Sequence, residues 1–170
     1  MSTVLDIPAH MLNTVEDFID SGRRLAVACL GNELRGDDIV GKIVCERLSE
    51  SCDGKIYIVY AGPDAASIIG LALEGYNVLV VDAVIRRRGR IGDIGDIIIA
   101  TAEELSEDEN LLPSTHLLPV NKLARYLGPR LLIVGVNVNP HNLGLGDKAS
   151  KEVVRAARAL SDLLARVLQC

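Results

Sequence analysis

Short aliphatic runs alternate along this chain with stretches in which apolar residues recur every three or four positions. The runs over residues 25–30, 55–61, 77–81, 96–100 and 130–136 (LAVACL, KIYIVYA, NVLVV, DIIIA and RLLIVGV) read as strands. They are continuous rather than alternating, which is the pattern of strands covered on both faces. Between them, Val40, Ile43, Val44 and Leu48 share one helical face over residues 38–51. A small-residue helix follows the Gly62-Pro63-Asp64 turn over residues 65–73, another is predicted over 117–127, and a long closing helix over 150–168. Residues 103–110 are acidic and read as a short helical turn. The link between the third and fourth strands is too short for a crossover helix, so those two are expected to be antiparallel neighbours.

The predicted fold is α/β, a three-layer sandwich. Its sheet has about five strands, mostly parallel and twisted, with helices on both faces and one antiparallel strand. A single domain is expected over residues 25–170. Residues 1–24 precede it as a helical extension, in which Met11, Leu12, Val15, Phe18 and Ile19 make one apolar face. That face is expected to pack on the domain's own surface.

Composition narrows this picture. A chain of 170 residues suits one sizeable core. With one Phe, four Tyr and no Trp, the core must be aliphatic. A net charge of −5 lacks the basic bias of a nucleic-acid binder. The local exception is Arg86, Arg87, Arg88 and Arg90, which read either as a solvated turn or as a basic lip contacting a substrate. No apolar run is long enough to cross a bilayer, and no basic segment followed by an apolar run marks a signal peptide. The expected address is therefore cytoplasmic, without membrane insertion. The four cysteines have no CxxC spacing. Cys29 and Cys45 read as small core hydrophobes, and all four are expected as reduced thiols. The oligomeric state is not legible.

Candidate chemistry is sparse. GxSxG, HExxH and Walker A sequences are absent. Gly31-Asn32-Glu33-Leu34-Arg35-Gly36-Asp37-Asp38 forms a loop feeding a helix after the first strand. Two acids there have an ordinary use, one as cap and the other favouring the helix dipole. Asp82 ends the third strand, where a carboxylate often caps a turn. Yet open α/β sheets bind ligands at the carboxyl ends of their strands, so Asp38 and Asp82 can reach one crevice. His116 follows Ser114-Thr115, one of which is the expected N-cap, at the start of a helix. If the fourth strand is reversed, its connector must return along the sheet for His116 to reach the same crevice. Of the remaining histidines, His10 lies in the extension and His141 in a turn-rich loop. Asp38, Asp82 and His116 would offer two oxygens and a nitrogen, an incomplete ligand set suited to nickel, zinc or manganese rather than to copper(I) or a structural zinc.

These blocks together resemble the [NiFe]-hydrogenase maturation endopeptidases. The first block is residues 31–38 followed by Gly41, the second Val81-Asp82-Ala83, and the third Ser114-Thr115-His116. Gly135-Val136-Asn137 matches a later Gly-Ile-Gln segment loosely. The resemblance spans about residues 25–168. It implies an endopeptidase that removes a C-terminal extension from a hydrogenase large-subunit precursor. Nickel would be carried by the precursor and serve as the recognition element, and Asp38, Asp82 and His116 would be its ligands and the catalytic residues. The chain departs from the pattern at Ile39, where the family usually has Gly, and at Val138, where a Pro often stands. An Ile does not take positive φ cheaply, so the helix is expected to start differently. Two other readings compete: a non-catalytic nickel- or precursor-binding homologue, and a nucleotide- or flavin-binding domain. The last is disfavoured because residues 31–36 lack GxGxxG spacing.

Overall fold

Among the described residues, six strands build one sheet in the order β2-β1-β3-β6-β4, with β5 pairing β3. The structure is a computed structural model and describes residues 7–86, 93–107, 111–113 and 120–170. The strands are β1 (Leu25–Leu30), β2 (Tyr57–Gly62), β3 (Asn77–Arg86), β4 (Ile97–Thr101), β5 (Leu111–Pro113) and β6 (Leu131–Asn137). The helices are α1 (Ala9–Ile19), α2 (Val40–Cys52), α3 (Ala66–Leu73), α4 (Ala102–Glu107), α5 (Val120–Leu127) and α6 (Lys151–Val167). The expected mostly parallel α/β sandwich is what forms. β1, β2, β3 and β6 are parallel, and β4 runs against them.

Burial explains the continuous aliphatic runs of β1, β3 and β6, whereas the edge strand β2 is nowhere fully buried, against the expectation of cover on both faces. Alternate residues of β1, β3 and β6 feed two cores. Val27, Cys29, Leu79, Val81 and Val134 meet α2 and α6 on one face. Ala26, Ala28, Val78, Val80 and Ile133 meet α3, α4 and α5 on the other. Along α6, Val153, Ala156, Ala157, Leu160 and Leu164 recur every three or four residues and are all buried. α1 packs on the domain as expected, with Val15 fully buried and Phe18 and Ile19 against the first core.

Three expectations are corrected. β4 is not beside β3. β6 pairs β3 from Val78↔Leu131 to Val84↔Asn137 and separates the two, so β4 pairs the outer side of β6. β3 does not stop at Asp82 but continues through Arg86, because Ala83, Val84 and Ile85 still have β6 or β5 to pair with. The cysteines are not free thiols: Cys29 bonds Cys45, and Cys52 bonds Cys170. The first bridge pins α2 to β1, and the second ties the end of α2 to the chain beyond α6. Among the described residues, no helix is long and apolar enough to cross a membrane.

Candidate active site

The strand order reverses between β1 and β3. From β1 the chain moves out to β2, then returns to place β3 on the other side of β1. Connections leaving the carboxyl ends of β1 and β3 therefore diverge, and a crevice opens between them. That is the position where sheets of this kind hold ligands.

Asp38 enters from β1. After Leu30 the chain turns at Gly31, whose φ of 139° lies in a region that favours glycine. A Cβ on Gly31 would stand 2.2 Å from the Asp38 carbonyl oxygen, so the loop closes tightly on the acid. Asn32 N–H donates to that carbonyl at 3.0 Å, and Asp38 N–H donates to Arg35 O at 3.0 Å. Asp37 and Asp38 lie in a 3-10 turn, Gly36–Ile39, that leads into α2. Ile39 has φ −80° and ψ −8°, ordinary right-handed geometry, at the start of α2. Gly41 then lets α2 lie directly on the end of β1, since a Cβ there would sit 1.9 Å from Leu30 O.

Asp82 comes from β3 and is fully buried, as Asp38 nearly is. β1 pairs β3 as far as Cys29↔Val81, so Asp82 is level with the end of β1 rather than at the end of its own strand. Its Oδ1 accepts the Ala83 N–H at 2.8 Å. Strand alternation puts Asp82 on the face of Val80 and Val84, the face covered by α5 through Val120, Leu123 and Ala124. The turn holding Asp38 touches β3.

His116, with Ser114 and Thr115, lies outside the described residues, as do Arg87, Arg88 and Arg90. The strand leading toward His116 is described. β5 pairs β3 antiparallel, with Arg86↔Leu111 and Val84↔Pro113. Because β6 occupies the other side of Val84, β5 lies on the side of β1, in line with it and running toward its end. The chain thus returns along the sheet, and at Pro113 it is headed for Asp82. Among the described residues, no three His, Cys, Asp or Glu side chains gather as a metal cluster. His10 sits on α1. His141 is exposed on a 3-10 turn, Pro140–Asn142, with its N–H on Asn139 Oδ1.

Sequence reading missed the rim. The Tyr60 hydroxyl donates to Gly31 O at 3.2 Å. Burial pushes its phenol above the ordinary tyrosine range; Glu33 and Asp38 add to this, while Lys42 opposes it. Lys42 is itself held protonated well above its usual range by Glu46 at 2.6 Å and Glu33 at 3.0 Å. Asn137, in the loosely matched block, is structural in its described contacts: its Nδ2 donates to Asp93 O at 3.2 Å. Val138 N–H donates to Val84 O at 3.0 Å, a bond that a proline could not make.

A [NiFe] hydrogenase maturation protease HycI from Thermococcus kodakarensis KOD1 superposes with a TM-score of 0.69. It is 30% identical, over 92% of this chain and 99% of that one. The chain belongs to the [NiFe] hydrogenase maturation proteases. Such a protease is a peptide-bond hydrolase, as the sequence resemblance implied. A putative hydrogenase maturation protease of Methanocaldococcus jannaschii is 28% identical over 134 residues, covering 71% of this maturation protease and 75% of the relative. The HybD maturation protease from Thermococcus kodakarensis shares the fold at 20% identity and a TM-score of 0.63, over 84% of this chain and 97% of that one. No family model matches the chain.

Proposed function

We propose that this maturation protease is the endopeptidase that removes the C-terminal extension of a [NiFe]-hydrogenase large-subunit precursor, and that it acts on precursor already loaded with nickel. What supports this reading is the placement of the two acids at one edge of the sheet: Asp38 in the turn after β1, Asp82 level with the end of β1, and β5 running antiparallel along β3 from Arg86 to Val84. His116 follows Pro113 by three residues, a span of about 10 Å if extended. In this reading Asp38, Asp82 and His116 are both the metal contacts and the catalytic residues.

The donor set fits the task. Two carboxylates and an imidazole accept a divalent ion without closing its coordination, leaving positions for the precursor's own thiolates. Nickel enters as part of the substrate, so uncharged precursor lacks the feature that seats it. Peptide hydrolysis then needs a water held by a carboxylate or a scissile carbonyl polarised by the precursor's nickel. A cytoplasmic address belongs to the same reading.

The test is to incubate the protein with nickel-loaded and metal-free precursor and weigh the product. A shortened subunit from loaded precursor alone, and none with Asp38→Asn, is the expected result. Loaded precursor bound but left whole by the native protein would instead favour a holding role. Cleavage by Asp38→Asn at the native rate would remove Asp38 from the site.

A further inference from the structure

We infer that Asp37 is the positioning residue for Asp38, locking the acid-bearing turn onto the start of α6; this rests on Asp38 acting as proposed above. Asp37 is fully buried. A buried carboxylate is costly unless donors satisfy it. Here both oxygens are served by one distant residue: Ser150 N–H donates to Oδ1 at 2.6 Å, and the Ser150 hydroxyl donates to Oδ2 at 2.8 Å.

Ser150 is the N-cap of α6, yet its side chain makes no cap hydrogen bond to that helix. Its hydroxyl is turned to Asp37 instead. Asp37 thus brings negative charge to the amino end of a 17-residue helix, where the dipole favours it. The segment before α6 grips the same turn. Arg35 Nε donates to Leu143 O at 3.0 Å, and Gly146 N–H donates to Leu34 O at 2.8 Å. Asn142 Nδ2 reaches both Lys148 O and Ser150 Oγ, at 3.0 and 3.1 Å. Since Asp38 N–H is fixed on Arg35 O, a slip of this clamp moves the Asp38 backbone. Two adjacent acids therefore divide the work: Asp37 holds the turn, and Asp38 faces the chemistry.

Four proteins test this, the native one and Asp37→Asn, Ser150→Ala and Ser150→Thr. Cleavage of nickel-loaded precursor gives kcat and KM for each, and thermal melts check folding. Asp37→Asn and Ser150→Ala are expected to lose about tenfold or more in kcat with KM within about twofold, the scale seen when a residue orienting a ligand is removed. Ser150→Thr, which keeps both donors, should return to within about threefold of native kcat. A folded Asp37→Asn or Ser150→Ala with native kcat would overturn the inference. So would Ser150→Thr falling as far as Ser150→Ala. If Asp37→Asn does not fold, Ser150→Ala decides, since it removes one hydroxyl and keeps the amide bond. Precursor left whole by the native protein would sink the proposed function instead, a result distinguishable from any pattern among the variants.

Discussion

The two edges of the sheet are built in opposite ways. At the carboxyl edge, Asp38 and Asp82 are 3% and 0% exposed, and the backbone of its own loop closes on Asp38. At the amino edge, α1, α4 and α5 stand apart around an open cleft of about 640 Å³, with Thr14, Phe18, Thr101, Glu103 and Arg125 among its lining. That cleft is not where the acids gather beside a strand reversal. Space is left wherever helices fail to meet, whereas the crevice between β1 and β3 is forced by chain direction. Topology, more than volume, points to where the chemistry sits.

That contrast can be broken at either edge. The largest effect is expected from Asp82→Asn. It keeps the shape of a fully buried side chain, so circular dichroism should be native while cleavage of loaded precursor falls by about 10³-fold or more. Cleavage within tenfold of native would place the chemistry elsewhere. Next comes the clip joining the far ends of α2 and α6, away from the crevice. Cys52 and Cys170 are 118 residues apart, and replacing both with Ser should cost about 5 kcal/mol in denaturant unfolding if loop closure governs the unfolded chain. An unchanged midpoint would mean that the bridge constrains little.

Glycines give a smaller but sharper comparison. Gly41→Ala pushes a methyl into Leu30 O and should cost about 3 kcal/mol. Gly70→Ala, in the middle of α3 with nothing within 4 Å, should gain about 0.5–1 kcal/mol. Equal effects in the two melts would contradict the close packing at the carboxyl edge. The smallest effect belongs to the amino-edge cleft. Ser106→Phe, which partly fills it, should leave kcat/KM within about twofold, the scale of a surface change remote from a site. A tenfold loss would bring that cleft into substrate binding.

How much of this is legible in the sequence follows from range. Continuous aliphatic runs mark β1, β3 and β6 because each is buried on both faces, and the periodic Val and Leu of α6 mark its face. The neighbour of β4 is not legible, because it depends on β6, some 30 residues later, sliding in beside β3. Asp82 hides the continuation of β3, since an acid inside an apolar run reads as its end. β5 is three residues long, too short for any period to register. Cys29–Cys45 and Cys52–Cys170 have no motif spacing, so their pairing is visible only in three dimensions. Asp37 and Asp38 are identical neighbours, and what separates them is Ser150, 113 residues away.

Among the residues proposed for the crevice, His116 is the one that lies outside the described residues. Single-turnover cleavage of nickel-loaded precursor by His116→Ala and His141→Ala tests it most directly. The site proposed from Asp38, Asp82 and His116 predicts that His116→Ala loses cleavage as completely as Asp82→Asn, with a native melt, while His141→Ala stays within a few-fold of native. Native cleavage by His116→Ala, with the loss falling on His141→Ala, would contradict it.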